Sequence, residues 1–141
     1  MSSSSETFNF VVDSANQTQL THPGDSTVTT RTSDKLKGDG YYGRADGLHT
    51  VQYTVTGFIG KIVTQATLAT TPVEADYFTL SSTVHDNSSG STDNALATGS
   101  FNHNFTGNYV YVRIIVSDWT DGTVNSILLN HKGQKWNTMS T

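Results

Sequence analysis

The sequence predicts an all-β chain, a single antiparallel β-sandwich, jelly-roll-like, of seven or eight strands. Three observations predict it. Apolar and polar residues alternate with period two in long runs such as "LHTVQYTVTGF" (48–58) and "NYVYVRIIVSDW" (108–119), as in strands with one buried face. The same runs are crowded with β-branched and aromatic residues, which fit a pleated surface. Turn residues punctuate the chain at roughly 8–12-residue spacing, and no segment carries the periodicity of a three-turn helix.

Taken in order, the elements begin with a short Ser-rich N-terminal arm (1–6), followed by weaker strand candidates at "TFNFVV" (7–12) and "STVTTRT" (26–32). "KGDGYYGRADG" (37–47) holds Gly38, Gly40 and Gly43 in the spacing of a dinucleotide fingerprint. That fingerprint needs a buried strand before it and a helix after it, to bring a helix N-terminus to the pyrophosphate. Here a polar segment precedes and a strand follows, so the glycines read as a tight loop with Tyr41 and Tyr42 at its tip. In 48–58, Val51, Tyr53 and Val55 share one face. Gly57 and Gly60 bracket a bend or bulge, and "KIVTQATLA" (61–69) sets Ile62, Thr64, Ala66 and Leu68 on one side.

"TTPVEAD" (70–76) fits one helical turn capped by Thr71, with Pro72 at its first position. "DYFTLSSTV" (76–84) is a further strand, and the polar stretch 85–104 reads as an extended surface loop. In 108–119, Val110, Val112, Ile114 and Val116 alternate with Tyr109, Tyr111, Arg113 and Ile115. Asp121-Gly122 then has the chemistry of a two-residue hairpin turn leading into "TVNSILLNH" (123–131). Trp119 is expected in the core. A C-terminal arm (132–141) carries Trp136 as its anchor. The whole chain, 1–141, is one domain without repeats.

Composition narrows the function. At 141 residues one domain can bury a core without metals or crosslinks. The absence of cysteine removes disulfide and thiolate chemistry. Lys and Arg number 8 against 12 Asp and Glu, a net charge of −4, and charged residues make up 14%, well below the usual quarter or so. No basic patch calls for nucleic acid, no apolar run suits a membrane span, and the N-terminus lacks the regions of a signal peptide.

The chemical motifs are sparse. Asp34, Asp39 and Asp46 offer oxygen ligands for a cation, although Asp is also a common turn residue. The histidines at 22, 49, 85, 103 and 131 show no zinc spacing. There is no Gly-x-Ser-x-Gly elbow, and only Glu6 and Glu74 supply glutamate. The sequons at Asn16, Asn87 and Asn104 are expected by chance in so Asn-, Ser- and Thr-rich a chain. The reading is a non-enzyme with no metal and no cofactor. Tyr109 and Tyr111, beside Arg113 and opposite the Val/Ile face, are the remaining lead, because tyrosine is favoured at interfaces and can stack on sugars. The competing reading is that a second sheet or a loop covers them.

Two stretches, "VQYTVTGFIGKIVTQATLATTPVEADYFTL" and "NFTGNYVYVRIIVSDWTDGTVNSILLNH", together resemble small virion structural proteins of tailed bacteriophages, particularly marine and cyanobacterial ones. The shared features are a Gly-Phe-x-Gly bend, a strand ending in "ATLAT", a Pro-x-x-Ala-Asp-aromatic-Phe turn, and Phe-Thr-Gly-Asn-aromatic-Val-aromatic-Val-Arg. They cover Val51 to Leu80 and Asn104 to His131; the first 47 residues take no part. The resemblance implies a β-sandwich that builds or decorates a particle, and no catalytic residue. The resulting expectation is a virion protein made in the host cytoplasm, a capsid decoration or a head, neck or tail accessory component. Its partners would be other virion proteins and copies of itself, not nucleic acid or membrane. The alternative is a carbohydrate-binding module or receptor-binding fibre tip that stacks a surface glycan. Under either reading Tyr41, Tyr42, Tyr109, Tyr111, Arg113 and Trp136 are the candidate interface or glycan platform.

Overall fold

Two long strands carry the fold. The computed structural model describes residues 5–12, 15–24, 27–43, 47–87 and 97–131. In chain order the strands are β1 (Glu6–Thr7), β2 (Phe10–Val12), β3 (Ala15–Gln17), β4 (Leu20–Thr21), β5 (Thr29–Thr32), β6 (Leu36–Lys37), β7 (Leu48–Thr67), β8 (Phe78–Thr79), β9 (His85–Asp86), β10 (Ala97–Thr106) and β11 (Tyr111–His131). The helical pieces among the described residues are two 3-10 turns, Glu74–Asp76 and Ser81–Thr83. The chain is all-β and antiparallel, as the alternation predicts.

β7 and β11 pair from His49↔His131 to Thr67↔Tyr111. β10 lies along the first half of β7, and β8 and β9 along its second. On the other side, β1 and β4 flank the second half of β11 while β5 and β6 flank its first. β2 and β3 form a separate small ribbon.

Each long strand spans two of the runs that the sequence reading separates. Gly57 to Gly60 is the expected bend. Asp121-Gly122 is not a hairpin turn: the ladder slips register there and continues. Gly57 (φ +58°), Asp118 (φ +50°) and Gly122 (φ +89°) mark opposed bulges, which bend and twist a sheet without ending it. The bend is sharp. The Tyr53 hydroxyl lies 2.8 Å from Thr64 Oγ1, eleven residues along the same strand, where an extended chain would hold them about 36 Å apart. β7 therefore doubles over and closes both of its halves on one core. Tyr53 gives its proton to the Thr83 carbonyl at 3.0 Å, so Thr64 donates to Tyr53, and burial pushes the phenol pKa up to about 12.

Val51, Tyr53, Val55 and Ile62 of β7 meet Val112, Ile114, Val116, Val124, Ile127 and Leu129 of β11, together with Phe8, Phe10, Phe58 and Trp119. Two expected core residues fall outside this set. Leu68 is 65% exposed, because β7 stops at Thr67, whose hydroxyl accepts the Ala69 N–H. Val110 precedes β11 and is half-buried.

Other expectations shift as well. The end of the stretch read as a loop (85–104) belongs to a strand, Ala97–Thr106, that pairs with β7. Phe101, His103 and Phe105 turn inward and Asn102 and Asn104 outward, an alternation hidden by polar composition. The turn in 70–76 starts at Glu74, with the Asp76 carboxylate accepting the Val73 N–H at 2.8 Å, rather than at Pro72. In 76–84 only Phe78–Thr79 pairs as strand. Ser5 and Glu6 of the expected N-terminal arm (1–6) lie along this chain's own β11. The C-terminal arm (132–141) falls outside the described residues.

Asn87 pins the bend. Its Nδ2 donates to the Phe58 carbonyl at 2.8 Å, its Oδ1 accepts the Gly60 N–H at 3.1 Å, and its own N–H donates to the Gly60 carbonyl. Asn87→Ala strips two buried backbone groups of these partners and is expected to cost about 2 kcal/mol, read as a lower denaturation midpoint with an unchanged slope.

Candidate functional site

The glycine loop after β6 builds the candidate surface. Three successive turn hydrogen bonds, Tyr41 N–H to Gly38 O, Tyr42 N–H to Asp39 O and Gly43 N–H to Gly40 O, wind residues 38–43 into a tight coil. The coil presses on the backbone of 108–109: a Cβ on Gly40 would stand 2.0 Å from Asn108 O, and one on Gly38 2.5 Å from Tyr109 O. The glycine spacing thus serves backbone contact, and it holds Tyr41 and Tyr42 out at the tip, 46% and 38% exposed.

Tyr41 is the hub of this surface. Its ring meets Tyr42 edge-on at 5.3 Å and Tyr111 at 5.7 Å. Lys37 Nζ sits 4.5 Å from the Tyr41 ring centre and Lys35 Nζ 5.3 Å from that of Tyr111, close enough for cation–π attraction. The chain is acidic overall, yet this aromatic face carries two lysines.

The remaining predicted residues are placed differently. Tyr111 and Arg113 do lie opposite buried Val112, Ile114 and Val116. Arg113, however, is closed over rather than open. Its Nη1 and Nη2 grip Glu74 at 3.0 and 2.6 Å, its Nε donates to Gln65 Oε1 at 2.9 Å, and its guanidinium stacks 3.8 Å from the Tyr77 ring centre. The loop 73–77 covers it, and the guanidinium holds the exposed Glu74 carboxyl below its ordinary pKa. Tyr109 is not beside Tyr111. It precedes β11 and packs on the core against Phe105, His49 and Phe78. Trp136 lies outside the described residues.

Beneath the loop is a cluster that sequence reasoning missed. Asp39, His49 and His131 are all buried, and one ligand-type atom from each lies within 4.8 Å of the others. His131 Nδ1 is 2.6 Å from Asp39 Oδ1, Gly47 N–H donates to Asp39 Oδ2 at 3.0 Å, His49 Nδ1 meets Gly47 O at 2.7 Å, and Asp39 N–H reaches His49 Nε2 at 3.1 Å. Burial lowers the His49 pKa and keeps the ring neutral. The histidines are 82 positions apart and face each other only because β7 and β11 pair in this register; nothing in local spacing announces it. Of the three carboxylates weighed as cation ligands against a turn role, Asp34 is exposed and accepts the Asn9 N–H, Asp39 belongs to this cluster, and Asp46 lies outside the described residues.

No known family model, curated protein or solved structure matches this chain. The functional reading therefore rests on the tyrosine surface and the cluster beneath it.

Proposed function

We propose that the chain is a non-enzymatic structural protein of a bacteriophage particle, a capsid decoration or a head, neck or tail accessory component, acting in repeated copies. The observation that carries this reading is the surface formed by exposed Tyr41 and Tyr42 and half-buried Tyr111, with Lys35 and Lys37 on its rings, set on a β frame. Tyrosine gives large contact area at low entropic cost, and such residues dominate interface energetics. The occupant proposed is a second copy of the chain. At the bend, Asp118 and Asp121 are exposed, seven and ten residues along β11 from Tyr111, roughly 23 Å or more away by strand rise before the chain turns. A lysine-flanked face at one place and acidic groups at another favour head-to-tail contact, and repetition turns a weak contact into avidity.

Light scattering across a concentration series tests this. The wild type is expected to self-associate, more strongly at low salt, and Tyr41→Ser with Tyr42→Ser is expected to abolish association. Stability should change by less than about 0.5 kcal/mol, as is usual for exposed sites. A wild type that stays monomeric at every concentration, and that fails to cross-link to particle components, would overturn the proposal. The same three adjoining rings also favour the second reading, a glycan platform. Binding on a glycan array that is lost in Tyr111→Ala would select it.

A further inference from the structure

We infer that Asp39, His49 and His131 form a binding site for a divalent transition-metal ion of the zinc class, independent of the docking surface above it. The case starts from three remote segments that deliver one ligand each: Asp39 from the glycine coil, His49 from the start of β7 and His131 from the end of β11. Their ligand atoms lie within 4.8 Å of one another, so a small opening of the 2.6 Å Asp39–His131 contact and a drawing-in of the longer separations would seat all three around one ion at ordinary bond lengths of about 2.0–2.2 Å.

The surrounding hydrogen bonds aim these atoms inward. A carbonyl oxygen only accepts, so the 2.7 Å contact to Gly47 O places the proton of neutral His49 on Nδ1 and leaves the Nε2 lone pair directed into the cluster. A histidine tied through its other nitrogen to a backbone carbonyl is the arrangement that orients metal-ligating imidazoles. Gly47 also fixes the carboxylate, since its N–H takes Asp39 Oδ2 and turns Oδ1 toward His131 Nδ1. Phe105 stacks on His49 at 4.8 Å with planes only 2° apart, which locks the ring and keeps its surroundings apolar.

The donor set selects the ion. Two imidazole nitrogens and one carboxylate oxygen suit zinc, cobalt, nickel or copper. Calcium and magnesium demand six or more oxygens or retained waters. One carboxylate and two neutral imidazoles leave a dication partly compensated, which a buried site requires. In the metal-free chain the Nδ1–H of His131 points at Asp39 Oδ1 across 2.6 Å. For a neutral ring to ligate through Nδ1, that proton moves to Nε2; His131 Nδ1 and Asp39 Oδ1 then become ligands, and the Asp39 N–H gives up its contact with His49 Nε2. The buried pair also has a purely structural reading, in which this proton is the only occupant. The two readings differ in what a metal titration shows.

The test is titration of chelator-treated, full-length chain with Zn²⁺ by calorimetry and with Co²⁺ by visible absorption. Expected are one ion per chain, a Tm raised by Zn²⁺ but not by Mg²⁺ or Ca²⁺, a low-coordinate Co²⁺ spectrum that Zn²⁺ bleaches, and paramagnetic shifts of the His49 and His131 ring resonances in wild-type protein. The last readout needs no variant to fold. In His49→Gln, affinity should fall by about tenfold or more, while His22→Gln leaves it unchanged. No saturable binding, no Tm shift, or Co²⁺ shifting only resonances away from His49 and His131 would each overturn the site.

Discussion

Gly122→Ala is expected to destabilise the fold by about 4 kcal/mol, the sum of a left-handed backbone forced on an L-residue and a steric collision. Gly122 sits at φ +89°, and a Cβ there would stand 2.2 Å from Gly57 O, 2.4 Å from Gly57 C and 2.5 Å from Phe58 Cα. All three are backbone atoms of the opposing bulge, so no rotamer change relieves the contact. β7 and β11 would have to separate where both fold over, loosening Phe58 and Trp119 together. Gly57→Ala is the control. It shares a positive φ of +58° but meets nothing within 4 Å, so it should cost only about 1–2 kcal/mol, the backbone strain alone. Equilibrium denaturation of both variants decides the matter. Equal losses would mean that the close approach of the two bulges is not what shapes the bend.

The bend also explains which parts of the fold were legible in the sequence. Period-two alternation located β7 and β11 because their buried residues are aliphatic. It broke at Gly57–Gly60 and at Asp121-Gly122, where bulges change the facing of side chains. A glycine beside aspartate has the same chemistry in a hairpin as in a bulge, since both need positive φ; only the partner strand distinguishes them. β10 was hidden for another reason. Its inward positions are Phe101, His103 and Phe105, its outward ones Asn102 and Asn104, and a histidine among asparagines reads as loop.

Of the candidate surface, Tyr41 and Tyr42 were legible as a glycine-loop tip, and Tyr111 as the side opposite the Val/Ile face. The covering of Arg113 was not, because Glu74 and Tyr77 reach it from a segment whose turn starts two residues beyond its apparent first position, Pro72. Tyr109 keeps the parity of Tyr111 in sequence, but the strand begins only after it, so parity stops predicting its direction. Asp39, His49 and His131 come together through strand register and one coil, neither of which leaves a local trace.

Asp39→Ala, in chelator-containing buffer, is expected to cost about 2–6 kcal/mol, since each of two buried donors left without an acceptor costs about 1–3 kcal/mol. The side chains of Asp39 and His131 are both 0% exposed, so water cannot replace the lost carboxylate. Two donors lose it at once, His131 Nδ1–H and Gly47 N–H, and the coil carrying Tyr41 and Tyr42 loses its anchor to β7 and β11. The Arg113–Glu74 pair provides the contrast. Glu74 is 84% exposed although Arg113 is only 8% exposed, and Glu74→Ala should lower the midpoint less than Asp39→Ala does, because water can enter where the carboxylate stood while Gln65 and Tyr77 still hold the guanidinium. A double-mutant cycle of Asp39→Ala with His131→Ala separates the pair from its surroundings. Residues in direct contact show coupling of about 0.5–3 kcal/mol, and this pair, dry and at 2.6 Å, belongs at the upper end. Strict additivity would mean that the carboxylate acts through partners other than His131, and that the join between coil and sheet is made by the backbone rather than by the histidine.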